Sequence, residues 1–285
     1  MRRSPLRPGP QRPRATLMGE MATYLDKILA RHREAANADK RDVSALVAEA
    51  RNCAPARGFA TALRNGPPDG RTGPAVIAEI KRRSPSKGPL APDLVAGVLA
   101  KSYAGAGAAC LSVLTDKEFF GGSAEDLAEA RAAVELPVLR KDFTVSAADV
   151  CDARLMGADA LLLIVGALSP GELAELLQMA RNIGLDALVE VHDEAEAELA
   201  LSAGAEMVGV NQRDLVTFSV DTDRAVRVSA ALPGTVVRVA ESGIRTCDDV
   251  RRLADAGFDA VLVGEALVTA ADPGAALALL TEAAG

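Results

Sequence analysis

Eight short apolar runs recur along the chain after residue 73, and segments of helical length separate them. Strands that alternate with helices are typical of βαβ units, in which the strands of one sheet run parallel. The runs are continuously apolar, as strands must be when both of their faces are buried. The predicted strands are 74–80, Leu111–Leu114, Val138–Leu139, Ala160–Ile164, Ala187–Val189, Met207–Val210, Val236–Val239 and Ala260–Val263.

The segments between these runs predict helices, and a repeated turn joins several helices to the strands that follow. Glycine ends a helix readily because it adopts the left-handed C′ conformation without strain. Four recurrences of a turn with glycine first and an acid third, each about one βα unit apart, indicate a repeated architecture. The turns begin at Gly157, Gly184, Gly204 and Gly257, and the clearest helical segments are Pro92–Tyr103, Ala124–Val134, Pro170–Asn182 and Thr246–Ala256.

Eight strands in such a repeat predict closure of the sheet. We therefore expect a (β/α)₈ TIM barrel of the α/β class with an N-terminal helical extension. An open doubly wound sheet is the alternative, and it is disfavoured because no G-x-G-x-x-G motif follows the first strand.

The part of the chain before the first strand divides in two. Residues 1–17 hold five arginines and four prolines without the apolar stretch of a secretory signal, so we expect residues 1–21 to be disordered. Met18 and Met21 are candidate translation starts. From Tyr24 to about Ala60 the apolar spacing predicts two helices, and residues 22–285 are expected to form one catalytic domain.

Charge and cysteine content exclude several classes of protein. The net charge of -7 argues against a general nucleic-acid binder, so any anionic ligand has to be bound by a local group of cations. Cys53, Cys110, Cys151 and Cys247 form no C-x-x-C pair and predict reduced thiols in a cytoplasmic protein. No apolar run approaches the roughly 18–20 residues of a membrane span, so we expect no membrane partner.

Ionisable side chains concentrate where the predicted strands end, which is where a barrel assembles its site. Glu79, Glu190 and Glu241 follow apolar residues in strands whose alternation turns them inward. Buried carboxylates are costly unless cations such as Lys81 and Lys141 pair with them. A solvated charge is the alternative for any one glutamate, but the five groups together indicate acid-base chemistry.

Glycine-containing turns follow the last two predicted strands, where barrels commonly bind phosphate. Ser242 and Gly243 follow the seventh strand, and Gly264 and Glu265 follow the eighth. Each glycine alone is more typical of an ordinary turn, but together they allow main-chain N–H groups to approach an anion. The loop Lys81–Lys87 adds four cations, and the combination predicts a phosphorylated ligand.

Seven motifs in order are VIAEIKRRSPSKG, LSVLTDKEFFGGS, LRKDF, LVEVHD, GVNQRDL, AESGI and VLVGEAL. In this spacing they resemble indole-3-glycerol phosphate synthase, from about residue 22 to the end of the sequence. The resemblance implies a lyase (carboxy-lyase) of tryptophan biosynthesis that needs no cofactor and no metal. Its substrate would be 1-(2-carboxyphenylamino)-1-deoxyribulose 5-phosphate, which closes to indole-3-glycerol phosphate with loss of carbon dioxide and water.

The same resemblance implies catalytic roles. Lys141 looks like the general acid that protonates the substrate carbonyl or the hydroxyl formed from it, and Glu190 resembles the general base of dehydration. Lys81 looks like the partner of the substrate carboxylate, although the division of proton transfers between the two lysines stays open. The groups that resemble those orienting Lys141 and binding the sugar are Glu79, Asn211 and Glu241.

The resemblance also implies binding residues, with Ser84 and Arg213 among them. Arg213 is expected to pair with Asp214 or Glu190 as much as with the ligand. The side chain of Glu265 has to turn away if its main chain binds phosphate. The apolar slot for the anthranilate ring would consist of Phe120, Phe143, Leu162 and Leu215, with core packing an equal alternative for Leu162.

The two histidines, His32 and His192, are expected at the surface without a catalytic role. Three other functions stay open. A Schiff-base sugar-phosphate aldolase would use Lys141 as a nucleophile. A phosphoribosyl isomerase would be expected to pair an Asp and a Cys at strand ends, which this sequence lacks, and a non-catalytic barrel would only bind the sugar phosphate.

Overall fold

All eight predicted apolar runs form strands of one closed parallel barrel in the structure, a computed structural model that describes residues 23–281. Each strand pairs with its neighbours in chain order, and the eighth pairs with the first. The predicted disordered extension, residues 1–21, lies outside the described residues. The strands are β1 Ala75–Ile80, β2 Cys110–Leu114, β3 Val138–Lys141, β4 Ala160–Ile164, β5 Asp186–Val191, β6 Met207–Asn211, β7 Val237–Glu241 and β8 Ala260–Val263.

Three helices precede the barrel, whereas the sequence predicted two: α1 (Tyr24–Ala38), α2 (Val43–Arg51) and α3 (Phe59–Arg64). The third was missed because its six residues are too short to show a helical period. Phe59 and Leu63 of α3 pack inside the barrel at the end where the strands begin. The leading segment therefore closes the bottom of the barrel as well as reaching its top.

The helices between the strands form the outer layer, and Pro170–Asn182 spans the predicted range. The helix predicted from Pro92 begins instead at Ala96, after a turn. A short hairpin, Arg83–Ser84 with Gly88–Pro89, and a 3₁₀ turn, Val165–Ala167, complete the described elements. The helices are α4 Ala96–Gly105, α5 Lys117–Phe120, α6 Ala124–Ala133, α7 Ala147–Leu155, α8 Pro170–Asn182, α9 Glu194–Ser202, α10 Arg224–Ser229, α11 Cys247–Asp255, α12 Glu265–Val268 and α13 Pro273–Thr281.

Side chains alternate along each strand between two cores, as the pleat of a strand requires. In β1, Val76 and Ala78 face outward and pack against the helices, whereas Ile77 faces the barrel interior. The interior is filled by aliphatic side chains such as Leu139 and Leu188. It is a packed core rather than a pore, so a ligand can bind only at the end of the barrel.

The acids of the repeated helix-to-strand turn hold the bottom rim together. Three of the four accept a backbone N–H at 2.8 Å from a neighbouring segment, which the sequence did not predict. The fourth, Glu206, is exposed and lies 3.4 Å from Arg181. The three bonds join Val138 to Asp159, Ala60 to Asp186 and Arg238 to Asp259.

We expect Asp159→Ala to cost about 3–5 kcal/mol of unfolding free energy, because fully buried Asp159 accepts from Arg57, Val138 and Arg131. The matched change Asp259→Ala removes the same turn acid at an exposed position, so its cost should be about 1 kcal/mol. Urea unfolding followed by circular dichroism measures both. Equal losses in the two variants would contradict this account of the rim.

Candidate active site

Four charged side chains form one layer at the top of the barrel. Glu79, Lys141, Glu190 and Glu241 are the last inward-facing residues of β1, β3, β5 and β7. Barrel side chains stack in layers of four that come from alternate strands, and these residues occupy one such layer. The three carboxylates are buried, so the strands alone bring together the groups that the sequence identified.

Lys141 lies between two of the glutamates. Its Nζ donates to Glu190 Oε2 at 3.0 Å and lies 3.3 Å from Glu241 Oε2. Burial acts to lower the pKa of Lys141, but the charges of Glu190, Glu241 and Glu79 outweigh it and raise that pKa above its usual range. The group is therefore an ammonium ion that can donate hydrogen bonds and a proton.

Glu190 and Glu241 differ in their partners. Glu190 accepts from Lys141 and, through Oε1, from Asn211 Nδ2 at 3.0 Å. Burial acts to raise the pKa of Glu190, but the charges of Lys141 and His192 and these hydrogen bonds make the net shift downward. Burial, reinforced by the charges of Glu190 and Glu79, raises the pKa of Glu241 to about 7 despite Lys141. Near neutral pH, Glu190 is therefore ionised, whereas Glu241 is partly protonated.

Two glycines, one inside β6 and one directly after β8, make room for these carboxylates. A Cβ built on Gly209 of β6 would overlap Oε1 of Glu241, and one built on Gly264 would overlap Oε1 of Glu79. Gly264 was predicted as a phosphate contact, and the structure adds this second reason for glycine. Sequence reasoning missed Gly209, whose signal was a glycine inside an otherwise continuous apolar strand.

The loop after β1 carries Lys81 over the layer. Lys81 Nζ pairs with Glu79 Oε1, and both side chains line the cleft. Ser84 also lines the cleft, and its buried hydroxyl has no hydrogen-bond partner among the described residues. Arg82, in contrast, pairs with Asp126 of α6 and donates to Leu94 O at 3.0 Å, so it fixes the loop. Lys81 and Ser84 therefore remain in the lining of the cleft, whereas Arg82 does not line it.

Cations converge on Glu265 at the other end of the cleft. Lys87 Nζ lies 2.5 Å from Glu265 Oε1, and Arg213 and Arg245 approach the carboxylate at 3.6 and 3.7 Å. Glu265 therefore stays in the lining of the cleft, whereas the sequence predicted that its side chain turns away. Arg213 pairs with Glu265 and donates to Phe218 O at 3.2 Å, rather than pairing with Asp214 or Glu190. Three cations around one carboxylate leave an excess of positive charge for an anion.

The turn after β7 has an unusual backbone. Ser242 and Gly243 both have positive φ, 66° and 76°, and both line the cleft. A Cβ on Gly243 would come within 2.5 Å of Val220 Cγ1, so a glycine is required there. Left-handed backbone at a non-glycine residue such as Ser242 is uncommon, and here it lies in the wall of the cleft.

Apolar side chains form the remaining wall. Phe120, Phe143 and Leu215 line the cleft as predicted, and the rings of Phe120 and Phe143 are 6.4 Å apart between centroids. Leu162 packs one layer lower in the barrel interior, so of its two predicted roles the structure places it in the core. Ile164, the next inward residue of β4, lines the cleft in its place.

Helix α1 covers part of this wall through residues that sequence reasoning did not assign to the site. Tyr24 makes edge-to-face contacts with Phe119 and Phe218, both at 5.8 Å between centroids. His32, predicted at the surface, is half-buried, with its ring 5.4 Å from that of Phe143. These contacts join elements that are distant in sequence, so no local sequence pattern predicts them.

His32 belongs to the one group among residues 23–281 with the composition of a metal site. Its Nε2 lies 3.0 Å from Asp116 Oδ2 and 3.8 Å from Asp142 Oδ1. Asp116 caps α5 by accepting from Phe119 N at 2.6 Å, and Asp142 pairs with Arg140 at 3.1 Å. Because the carboxylates already have these donors, the group fits an ion-paired tether that holds α1 to the barrel.

The cleft as a whole encloses about 1150 Å³ of empty space that continues into solvent. A buried acid-base layer forms its floor, apolar side chains form one wall, and cations gather at one end. Fold and site together define a TIM-barrel enzyme for an anionic small molecule with an apolar part. Among the described helices, none combines the length and apolar composition needed to cross a membrane.

The comparisons with known proteins identify the family within this class. The profile of indole-3-glycerol phosphate synthase matches residues 25–280. The chain is 55% identical over 220 residues to indole-3-glycerol phosphate synthase 2 of Streptomyces coelicolor, covering 77% of this chain and 83% of the relative. It is 49% identical over 262 residues to the synthase of a Polaromonas species, covering 91% and 98%. The chain belongs to the indole-3-glycerol phosphate synthase family.

Solved structures that resemble the chain support the fold alone. Thiamine phosphate pyrophosphorylase from Pyrococcus furiosus superposes with a TM-score of 0.55 at 18% identity, covering 74% of this chain and 95% of that one. The N-acetylmannosamine-6-phosphate 2-epimerase from Clostridium perfringens gives 0.54 at 16% identity, covering 67% and 86%. At such identities the shared feature is the barrel.

We expect Glu241→Gln to raise the melting temperature at pH 8 by at least about 3 °C, because it removes a buried carboxylate with an unpaired oxygen. The folded pKa of Glu241, about 7, lies above the ordinary glutamate pKa of 4.5, so wild-type stability falls as pH rises between these values. The gain should therefore vanish near pH 5. Differential scanning fluorimetry from pH 5 to 8 measures it, with Glu175→Gln, an exposed change on α8, as control. A variant less stable than wild type at pH 8 would contradict the assigned environment.

Proposed function

We propose that this chain closes the indole ring of indole-3-glycerol phosphate from 1-(2-carboxyphenylamino)-1-deoxyribulose 5-phosphate, a step of tryptophan biosynthesis. The observation that carries the proposal is the position of Lys141, an ammonium held between two buried carboxylates on the floor of the cleft. It supplies a proton donor beside a proton acceptor, which a ring closure followed by dehydration requires. Family membership gives the reaction its identity.

The substrate would lie across the cleft with each of its parts against a matching surface. Its phosphate would bind at the cationic end, near Ser242, Gly243, Gly264 and Glu265. The anthranilate ring would enter the wall formed by Phe120, Phe143 and Leu215, and its carboxylate would face Lys81. Because Lys81 is already paired with Glu79, it would hold that carboxylate loosely, and loose binding in the ground state favours loss of carbon dioxide.

In the proposed sequence, the substituted ring carbon attacks the substrate carbonyl while Lys141 donates a proton to the carbonyl oxygen. The carboxylate then leaves as carbon dioxide, and its bonding electrons restore the aromatic ring. One of the two lysines, Lys81 or Lys141, donates a second proton to the new hydroxyl, which leaves as water, and Glu190 removes a proton from the intermediate to complete the pyrrole. Asn211 would orient Glu190, to which it donates a hydrogen bond, and Glu241 would orient Lys141, with which it forms an ion pair.

The charge on Lys141 speaks against the Schiff-base alternative. A nucleophilic lysine must be a neutral amine, which requires a lowered pKa. The neighbouring carboxylates instead raise the pKa of Lys141. Borohydride treatment with a keto-sugar phosphate would trap Lys141 covalently only in the aldolase.

We infer a cytoplasmic enzyme that acts on a small phosphorylated substrate without binding nucleic acid, since the net charge is -7 and the positive charge is local. The four cysteines are free, as a reducing compartment favours. Residues 22–285 would form its single catalytic domain.

We expect Lys141→Ala and Glu190→Ala each to lower kcat by about 10²–10⁴, because each removes one partner of a proton transfer. The measurement is the rise of indole fluorescence when purified protein meets the carboxyphenylamino substrate. Lys101→Ala, which removes an exposed lysine of α4, should keep the wild-type rate. Circular dichroism checks that the variants fold. A wild-type rate no higher than that of Lys141→Ala would end the proposal.

A further inference from the structure

His192 lies directly above the proposed base. It follows Glu190 by two residues, so both side chains point to the same side of the chain as β5 ends. The histidine was predicted at the surface, but only 16% of its side chain is exposed. Its Nε2 lies 3.5 Å from Glu190 Oε1, the oxygen that also accepts from Asn211.

The other ring nitrogen determines what His192 presents to Glu190. Nδ1 lies 3.1 Å from Glu196 Oε2, and the backbone N–H of His192 donates to the same oxygen at 2.7 Å. Because a carboxylate only accepts, Nδ1 is the donor in this contact. A neutral ring would then direct the lone pair of Nε2 at a carboxylate oxygen. The buried Nε2 has no hydrogen-bond partner among the described residues, and only the imidazolium gives it a proton that faces Glu190.

We propose that His192 is a positioning residue for Glu190: its imidazolium, held by Glu196, keeps the Glu190 carboxylate charged and oriented. The inference rests on the role proposed above for Glu190 as the base. Lys141 balances Glu190 only until it gives up its proton to the substrate. From that point His192 is the cation left beside Glu190, at the stage when Glu190 must accept a proton.

The charges around His192 fit this role. Burial acts to lower the pKa of His192, but the hydrogen bond to Glu196 and the charges of Glu190, Glu196 and Glu241 make the net shift upward. These acids approach from β5 itself, from α9 and from β7. Lys141, from β3, is the cation on the far side of Glu190.

The first test is the pH dependence of turnover in His192→Gln, which keeps a side-chain amide near Nε2 but no charge. Loss of a cation within 4 Å should raise the pKa of Glu190, so the acid limb of the kcat profile moves up by about one pH unit. At pH values below the limb, kcat then falls about tenfold, while KM changes less than about twofold. A structural role alone would lower kcat equally at every pH and leave the limb in place, which would overturn the proposal.

A matched pair of substitutions on α9 separates the charge of Glu196 from general effects. Glu196→Gln keeps an oxygen acceptor for the ring but removes the charge that stabilises the imidazolium, so His192 should lose its proton at lower pH and the basic limb should move down. Glu198→Gln removes an exposed charge from the same helix and should leave both limbs unchanged. Identical profiles for the two variants would count against the proposal.

An NMR titration tests the contact without relying on catalysis. The chain has only two histidines, so the imidazole signals of the ligand-free protein can be assigned with His32→Gln. Glu190→Gln should lower the pKa of His192 by at least about half a unit, since it removes a facing carboxylate. No change would overturn the inference. If the titration responds but wild-type protein forms no indole, the proposed function has failed while the contact stands.

Discussion

The fold of this protein is organised around one cation that is buried among carboxylates. Lys141 is the cation that contacts both Glu190 and Glu241 on the floor of the cleft, and without it these two buried acids would repel each other. The layer takes one side chain from each of four strands, β1, β3, β5 and β7. It also fixes where side chains must be absent, since Gly209 and Gly264 leave the volume that the carboxylates fill. The barrel interior below the layer is mainly aliphatic.

The two ends of the barrel divide stability and chemistry between them. At the bottom, the buried acid Asp159 is fully paired, and α3 seals the core. At the top, Glu241 keeps an unpaired oxygen and a pKa of about 7, and Ser242 keeps a left-handed backbone. Natural enzymes hold such unfavourable groups where reactivity depends on them, and the well-packed end supports the cost.

The sequence predicted the parts of this arrangement that depend on local pattern. The strands were recognisable as apolar runs, and alternation along them was enough to place Glu79, Glu190 and Glu241 on the inward face. All of the predicted site residues except Leu162 line one cleft, because the carboxyl ends of parallel strands meet there. Their individual catalytic roles remain proposals.

The features of the site that could not be predicted from the sequence depend on contacts between distant segments of the chain. His32 was predicted at the surface. The sequence pattern of a helix indicates which face is apolar, but it does not indicate which strand ends that helix will contact. His192 was also predicted at the surface. Its burial depends on Glu196, in the first turn of α9, and the apolar pattern of β5 does not show that contact. The ion pair between Arg213 and Glu265 joins two different loops. Leu162 and Ile164 face the same side of β4 and differ only in their depth in the barrel.

The leading segment of the protein is synthesised before the barrel residues that it binds. Its first helix binds the top of the barrel near Asp116, and residues 57–60 bind Asp159 and Asp186 at the bottom. These partners belong to β2, β4 and β5 or to the turns beside them, which the ribosome produces later. Residues 23–64 therefore emerge before every barrel strand but can complete these contacts only after five of the eight strands have been made. A segment made before the barrel thus depends on later parts of the chain for its contacts, and in the finished protein it binds both ends of the barrel.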